Sequence, residues 1–81
     1  MGCIEMFLGE YLKWWEKVSF VISKYPVSHA DKQSFNEFHR YALSVRCYTD
    51  IKNETNRILI EEYKISDKDR RTLLSISNLI I

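Results

Sequence analysis

Apolar residues recur along the first third of the chain with the spacing of an α-helix. Three rows with a seven-residue spacing lie side by side, and their members are Ile4-Tyr11-Val18-Tyr25, Phe7-Trp14-Val21 and Leu8-Trp15-Ile22. Three adjacent rows make one broad apolar face on a helix. Pro26 ends that helix, because the residue before a proline disfavours the α conformation. The pattern predicts a first helix over about residues 4–25.

Two Ser-x-x-Asp sequences predict where later helices begin. Ser28 with Asp31, and Ser66 with Asp69, fit a capping box, in which the serine and the acidic residue bind free N–H groups of the first turn. Apolar residues follow each box at helical spacing. We therefore predict helices over about residues 29–49 and 67–80, and we expect no internal repeat, linker or low-complexity segment.

The stretch between residues 49 and 56 interrupts the helical pattern. It is rich in Asp, Asn and Thr, which prefer caps and turns to helix interiors. The apolar spacing resumes at Ile58, so we predict a third helix over about residues 53–64. The middle two helices are either broken near Asp50–Asn53 or continuous. A continuous helix of roughly 50 Å is too long for a compact monomer of this size and would indicate a dimer.

These elements predict a small all-α domain over residues 1–81, an antiparallel bundle of three or four helices. The length of 81 residues suffices for one domain. With 2 Gly and 1 Pro, the chain lacks the turn residues that an all-β fold needs. Hydrophobic residues at 46% and charged residues at 28% are typical of a folded domain and argue against a disordered one.

Charge and cysteine content bear on partners and compartment. The net charge of +1 creates no overall attraction to nucleic acid or to an anionic membrane. Charged residues such as Glu5, Glu10 and Lys13 interrupt any signal peptide, and no apolar segment is long enough to span a bilayer. Two cysteines, Cys3 and Cys47, are too few for a disulfide framework. We expect a cytoplasmic protein with reduced thiols.

The sequence contains no catalytic or metal-binding signature. Cys3, His29, His39 and Cys47 lack the close pairing of ligands in zinc modules. His39 and Cys47 lie about 12 Å apart if they share a helix, which is beyond hydrogen-bonding reach for a nucleophile and its base. Phosphate loops and nucleophile elbows are missing as well. We expect a protein that is not an enzyme and that uses no cofactor and no metal.

Residues 59–73 resemble a helix-turn-helix DNA-binding unit. Its buried and capping positions are matched by Leu59, Tyr63, Ile65, Ser66 and Leu73. The resemblance implies that the second helix carries three basic residues toward DNA, namely Lys68, Arg70 and Arg71. The motif usually has a small residue, a turn glycine and an apolar residue at three positions where this chain has Ile60, Lys64 and Arg70. A small DNA-binding regulator is therefore the alternative function.

Aromatic and aliphatic residues are more numerous than one thin core easily buries. Trp14 and Trp15 are adjacent and point about 100° apart on a helix, and the chain ends on Leu79-Ile80-Ile81. A helix wedged centrally among its neighbours would bury all of them. The alternative, which we favour, is an exposed patch that binds another protein. We expect Trp15 to be the more central tryptophan and the patch to include Tyr11, Trp14, Lys17, Tyr41, Tyr48 and Ile81.

The most specific prediction is a non-enzymatic protein-binding module that also self-associates. Small helical proteins of this kind often act as inhibitors, immunity proteins, antitoxins or adaptors of phages, plasmids or low-GC bacteria, and this step is an analogy. A chain this short has a small core of its own, so a two-fold dimer would bury apolar surface that is otherwise exposed. We expect such an interface to bury roughly 1,200 Å² or more.

Overall fold

The computed structural model describes residues 7–75, which fold into α-helices without a strand. The helices are α1 (Leu8–Lys24), α2 (His29–Val45), α3 (Tyr48–Glu61) and α4 (Asp67–Ser75). This arrangement confirms the predicted all-α bundle and fixes its number of helices in the described part of the chain at four. The parts of the first and last predicted helices that extend beyond residues 7 and 75 lie outside the described residues.

The connection between α2 and α3 differs from the prediction. α2 ends at Val45, Arg46 has a left-handed backbone with φ 58°, and α3 begins at Tyr48. The two helices are therefore not continuous, and the predicted break at Asp50–Asn53 is wrong because that stretch lies inside α3. Tertiary packing outweighs the weak helix propensity of this stretch, and Ile51 in its middle is buried in the core. The argument for a dimer from an unbroken helix loses its support.

The core lies where the four helices meet and is built mainly from aromatic and branched residues. α1 packs against α3 and α4, whereas α2 packs chiefly against α3. Fully burying one large apolar side chain contributes roughly 1.5–3 kcal/mol. The fully buried apolar residues include Tyr11, Trp14 and Val18 of α1, Phe35 and Ala42 of α2, Leu59 of α3 and Leu73 of α4.

The turns after α1 and after α3 share one sequence pattern. Tyr-x-(Val/Ile)-Ser-x-x-Asp occurs at residues 25–31 and again at residues 63–69. In both copies the serine hydroxyl accepts a hydrogen bond from the N–H of the aspartate, at 3.1 Å in the first and 3.2 Å in the second. The predicted helix starts are thus confirmed at Ser28 and Ser66. The expectation that the chain contains no repeat is wrong.

A tyrosine from the opposite turn completes each capping box. The Tyr25 hydroxyl accepts from the Ser66 N–H at 2.9 Å and donates to the Asp69 carboxylate at 2.7 Å. The Tyr63 hydroxyl accepts from the Ser28 N–H at 3.1 Å and donates to the carboxylate of Asp31. The fold therefore consists of two consecutive helix pairs, α1–α2 and α3–α4, which we call hairpins and which cap each other reciprocally at one end of the bundle.

The sequence similarity between the two hairpins extends from the turns into the adjoining parts of the helices, but not to the starts of α1 and α3. The register that aligns the two tyrosines also aligns Val21 with Leu59 and Phe35 with Leu73, and all four residues are buried. Residues 20–35 and 58–73 are thus two copies of one pattern. Toward the start of α1 and α3 the residue types diverge, although two pairs of equivalent positions stay buried. There the same register aligns Trp14 with Lys52 and Val18 with Asn56.

Candidate protein-binding surface

The structure divides the predicted partner-binding residues into a buried group and an exposed group. Tyr11 and Trp14 are 0% exposed and Tyr48 is 8% exposed, so all three lie in the core. The expectation that these side chains face a partner is wrong for the folded chain, because they pack between helices instead. Lys17 and Tyr41 are exposed, and Ile81 lies outside the described residues.

The two tryptophans have the opposite roles to those predicted. Trp14 is fully buried, and its indole N–H donates to Asn56 Oδ1 of α3 at 2.9 Å. Trp15 is partly exposed, and its ring stacks on His39 of α2 with centroids 4.0 Å and planes 5° apart. The prediction that Trp15 is more central is wrong because the partner of Trp14 is an amide on α3. Periodicity within α1 cannot reveal that partner.

His39 connects Trp15 to the buried aromatic core. The Tyr11 hydroxyl lies 2.7 Å from His39 Nδ1, and the Tyr11 ring stacks on Tyr48 at 4.8 Å between centroids. Burial lowers the pKa of His39. Burial, with a further contribution from Tyr48, raises the pKa of Tyr11 far above its ordinary value. A neutral imidazole whose Nδ1 accepts a hydrogen bond from the Tyr11 hydroxyl satisfies both groups, which assigns the tautomer with hydrogen on Nε2.

An exposed apolar surface lies beside the Trp15–His39 stack. Leu8 and Leu12 precede Trp15 by two turns and one turn of α1, and Leu43 follows His39 by one turn of α2. Leu8, Leu12 and Leu43 are 47%, 43% and 40% exposed. We call these five residues the α1–α2 surface. Clustered apolar side chains at such exposure are typical of interaction sites.

Charged residues flank the α1–α2 surface. Arg40 and Arg46 lie three residues to either side of Leu43, and Glu16 follows Leu12 by one turn. All three charged side chains are exposed. Among the ion pairs of residues 7–75, none involves them. An apolar centre with a charged rim is the usual anatomy of a protein interface.

A buried polar cluster occupies one face of α3. Lys52, Thr55 and Asn56 are 4%, 0% and 2% exposed. Thr55 Oγ1 and Asn56 Nδ2 have no hydrogen-bond partner in the described part of the chain, where Lys52 also forms no ion pair. Burial lowers the pKa of Lys52. Sequence reasoning missed this cluster, because nothing in the local pattern separates Lys52 from a lysine that faces solvent.

The α3–turn–α4 unit keeps several features of the helix-turn-helix resemblance. Leu59, Ile65 and Leu73 are buried, as the motif requires. Lys64 adopts a left-handed backbone with φ 50°, the conformation for which the motif usually has glycine. The three basic residues are exposed on α4, and one of them is paired with an aspartate at 2.8 Å; they are Lys68, Arg71 and the paired Arg70.

Cys47 departs from the expectation of reduced thiols. Cys47 is disulfide-bonded. A low cysteine count argues against a framework of several disulfides, but it does not exclude a single one. No cluster of three or more His, Cys, Asp or Glu suited to a metal ion occurs among residues 7–75. None of the helices in the described region is long and apolar enough to cross a bilayer.

Comparison with known proteins finds no match to this chain among protein families, characterised proteins or solved structures. Functional inference therefore rests on the residues of the chain itself.

Proposed function

We propose that this protein is a non-enzymatic module that binds another protein chain through the α1–α2 surface. The observation that carries the proposal is the exposure of Leu8, Leu12 and Leu43 next to the Trp15–His39 stack. Water around exposed apolar side chains is released on binding, which favours association. Tryptophan is among the residues that dominate binding energy at interfaces.

The flanking charges indicate what kind of partner fits. Arg40 and Arg46 supply positive charge on the α2 side of the surface, so a partner that presents carboxylates around an apolar stripe is complementary. An amphipathic helix with acidic edges has this chemistry. The stack on His39 holds Trp15 in place before binding, which lowers the ordering cost of association.

Several finer assignments belong to the same proposal. We place the protein with the small inhibitors, immunity proteins, antitoxins and adaptors of mobile genetic elements, by analogy of size and helical fold. Self-association as a two-fold dimer fits a chain of 81 residues, whose own core is small. Cytoplasmic residence stays a prediction. Disulfides are rare in a reducing cytoplasm, so measuring the oxidation state of Cys47 in native cells tests the predicted cytoplasmic residence.

The test compares capture of proteins from native cells by three tagged chains. The double variant Leu12→Asp/Leu43→Asp places charge in the middle of the α1–α2 surface. The control Phe20→Asp changes an apolar residue of α1 that is 60% exposed and lies outside that surface. We expect proteins retained by the native chain to be lost with the double variant and kept with the control, with circular dichroism confirming that all three fold. Equal capture by all three would contradict the proposal.

DNA binding through α4 is the second candidate function, and the left-handed Lys64 turn is the observation that favours it. An electrophoretic mobility shift with random duplex at low salt tests it, because phosphate contacts weaken steeply as salt rises. If α4 contacts DNA, Lys68→Glu and Arg71→Glu weaken binding by roughly tenfold or more, whereas the exposed control Lys17→Glu has little effect. A chain that shifts no DNA would exclude this function.

A further inference from the structure

The contacts that join the two hairpins do not depend on the connection between them. Tyr25 and Lys24 of the first hairpin bind the Asp69 carboxylate of the second, with oxygen–oxygen and nitrogen–oxygen distances of 2.7 and 3.0 Å. These two hydrogen bonds lower the pKa of Asp69. Tyr63 of the second hairpin binds Asp31 of the first in the same way. A hairpin from a second copy of the chain offers the same groups in the same arrangement.

The connection itself is short and conformationally unfavourable. Only Arg46 and Cys47 separate α2 from α3. Arg46 has φ 58°, a left-handed conformation that is strained for a residue with a Cβ atom. Short strained connections between exchangeable units favour the exchange of those units between chains.

The sequence across the connection is compatible with a helix. The segment from Ala42 to Ile51 contains neither glycine nor proline, the two residues that disfavour a helix interior most. If Arg46 adopts a right-handed helical backbone, α2 and α3 become one helix over residues 29–61, roughly 50 Å long.

We propose that the chain dimerises by exchanging hairpins, so that α1–α2 of each copy packs on α3–α4 of the other. The occupant of the interface is a second copy of this chain, and the interface is the one that already exists between the hairpins. Every capping contact is retained, and the left-handed Arg46 is replaced by helix. The proposal rests on the self-association proposed above and supplies its route. Each exchanged dimer presents two α1–α2 surfaces to a partner.

An isotope-mixing experiment on the full chain distinguishes exchange from contact between closed monomers. Equal amounts of nitrogen-15-labelled and unlabelled chain are unfolded together with a reductant, refolded at high concentration and treated with a carbodiimide. This reagent joins Lys24 to Asp69, whose ammonium and carboxylate are 3.0 Å apart. Monomer and dimer are separated by size, and the cross-linked peptides are analysed by mass spectrometry. In the dimer we expect links between labelled and unlabelled peptides, in the proportion set by random pairing of chains.

Two glycine variants test the connection. Arg46→Gly removes the strain that opening relieves, so we expect the dimer dissociation constant to rise by roughly tenfold or more. Lys64→Gly is the matched control, because Lys64 is also left-handed, with φ 50°, but lies inside the α3–α4 hairpin. We expect it to leave the dissociation constant within roughly twofold, since exchange does not open its turn. Equal effects of the two variants would overturn the assignment of the connection.

The outcomes separate this inference from the proposed function. A dimer whose Lys24–Asp69 links are never isotopically mixed would overturn exchange and leave self-association through a surface. A chain that stays monomeric at every concentration would overturn both exchange and self-association. Neither result would bear on the binding of a different protein, which the capture experiment tests on its own.

Discussion

The two hairpins are alike at one end of the bundle and unlike at the other. At the turn end, residues 20–35 and 58–73 repeat the same capping and buried positions. At the far end, Trp14 of α1 corresponds to Lys52 of α3, and both are buried. At this pair of positions the hairpins differ in the chemistry of the residue that they bury. The turn end joins the two hairpins through equivalent caps, whereas at the far end an aromatic residue in one hairpin corresponds to a lysine in the other.

The largest expected effect on stability comes from truncating Trp14, the aromatic residue that corresponds to Lys52. Trp14→Ala should lower the free energy of unfolding by about 3–5 kcal/mol, because it leaves a cavity and strands Asn56 Oδ1. Trp15→Ala should cost only about 1–2 kcal/mol, since its ring is partly exposed and loses mainly the stack on His39. Urea unfolding followed by circular dichroism measures both. A larger loss of stability in Trp15→Ala than in Trp14→Ala would support the sequence-based prediction that Trp15 is the more central tryptophan.

Replacing Lys52, the polar residue of the Trp14–Lys52 pair, should raise the stability of the protein instead of lowering it. Lys52→Met replaces a buried ammonium that has no ion pair within residues 7–75 by an apolar side chain of similar length. We expect the free energy of unfolding to rise by about 1–3 kcal/mol. The matched control is Lys17→Met on the exposed face of α1, which should change stability by less than about 0.5 kcal/mol. A loss of stability in Lys52→Met would show that the lysine has a favourable role in the core.

The effect of Lys52→Met should also depend on pH. Burial holds the pKa of Lys52 below its ordinary value of 10.5 in the folded chain. Between that lowered pKa and 10.5 the unfolded chain binds more protons, so the native protein gains stability as pH rises. The advantage of the variant is therefore complete below the lowered pKa and shrinks as pH approaches 10.5. An advantage that is constant with pH would contradict desolvation as its cause.

Because the two turns repeat the same contacts, equivalent substitutions in them should lower the free energy of unfolding equally. Tyr25→Phe and Tyr63→Phe each remove one hydroxyl that bridges a serine N–H and an aspartate. Each should cost about 1–2 kcal/mol of unfolding free energy. Tyr41→Phe is the control, because that side chain is 59% exposed. Chemical denaturation compares the three variants. A cost at one turn only would show that the repeat is not energetically equivalent.

The smallest expected effect is acid sensitivity at His39, which lies outside the repeated segment of residues 20–35. Burial lowers the pKa of His39 from 6.5, so the unfolded chain gains a proton first as pH falls. Stability is lost as pH falls below 6.5 toward the lowered pKa. His39→Gln should therefore lose less stability than the native chain between pH 7 and pH 5, by under about 1 kcal/mol. Thermal melts at both values measure the difference, and the exposed His29→Gln should behave like the native chain.

Most of the fold follows from local signals in the sequence. The apolar rows identify α1, and Ser28 and Ser66 mark the starts of α2 and α4. The break at Arg46 has no such signal, because arginine rarely adopts a left-handed backbone and nothing in the sequence marks it as a turn. The repeat is also hard to find from sequence, since identical residues such as Tyr25 and Tyr63 are interspersed with conservative exchanges.

The candidate site was less predictable, because it depends on which helix faces remain open. The exposure of Tyr41 and Lys17 agrees with the expectation that they lie on the surface. Leu12 and Leu43 were not identified, since whether an apolar residue at the edge of a helix is covered depends on how α1 and α2 pack. The burial of Trp14 likewise depends on an acceptor on another helix. Such pairings are tertiary, and periodicity along one helix carries no information about them.

The reciprocal tyrosines have a consequence for how the sequence can change over time. Tyr25 caps a helix of the opposite hairpin, so its natural co-varying residues are Ser66 and Asp69 and not the serine and aspartate that follow it. A selection for folded variants from a library randomised at all these positions would reveal this as correlated substitutions across the repeat. A substitution in one copy of the motif then requires a compensating substitution in the other copy.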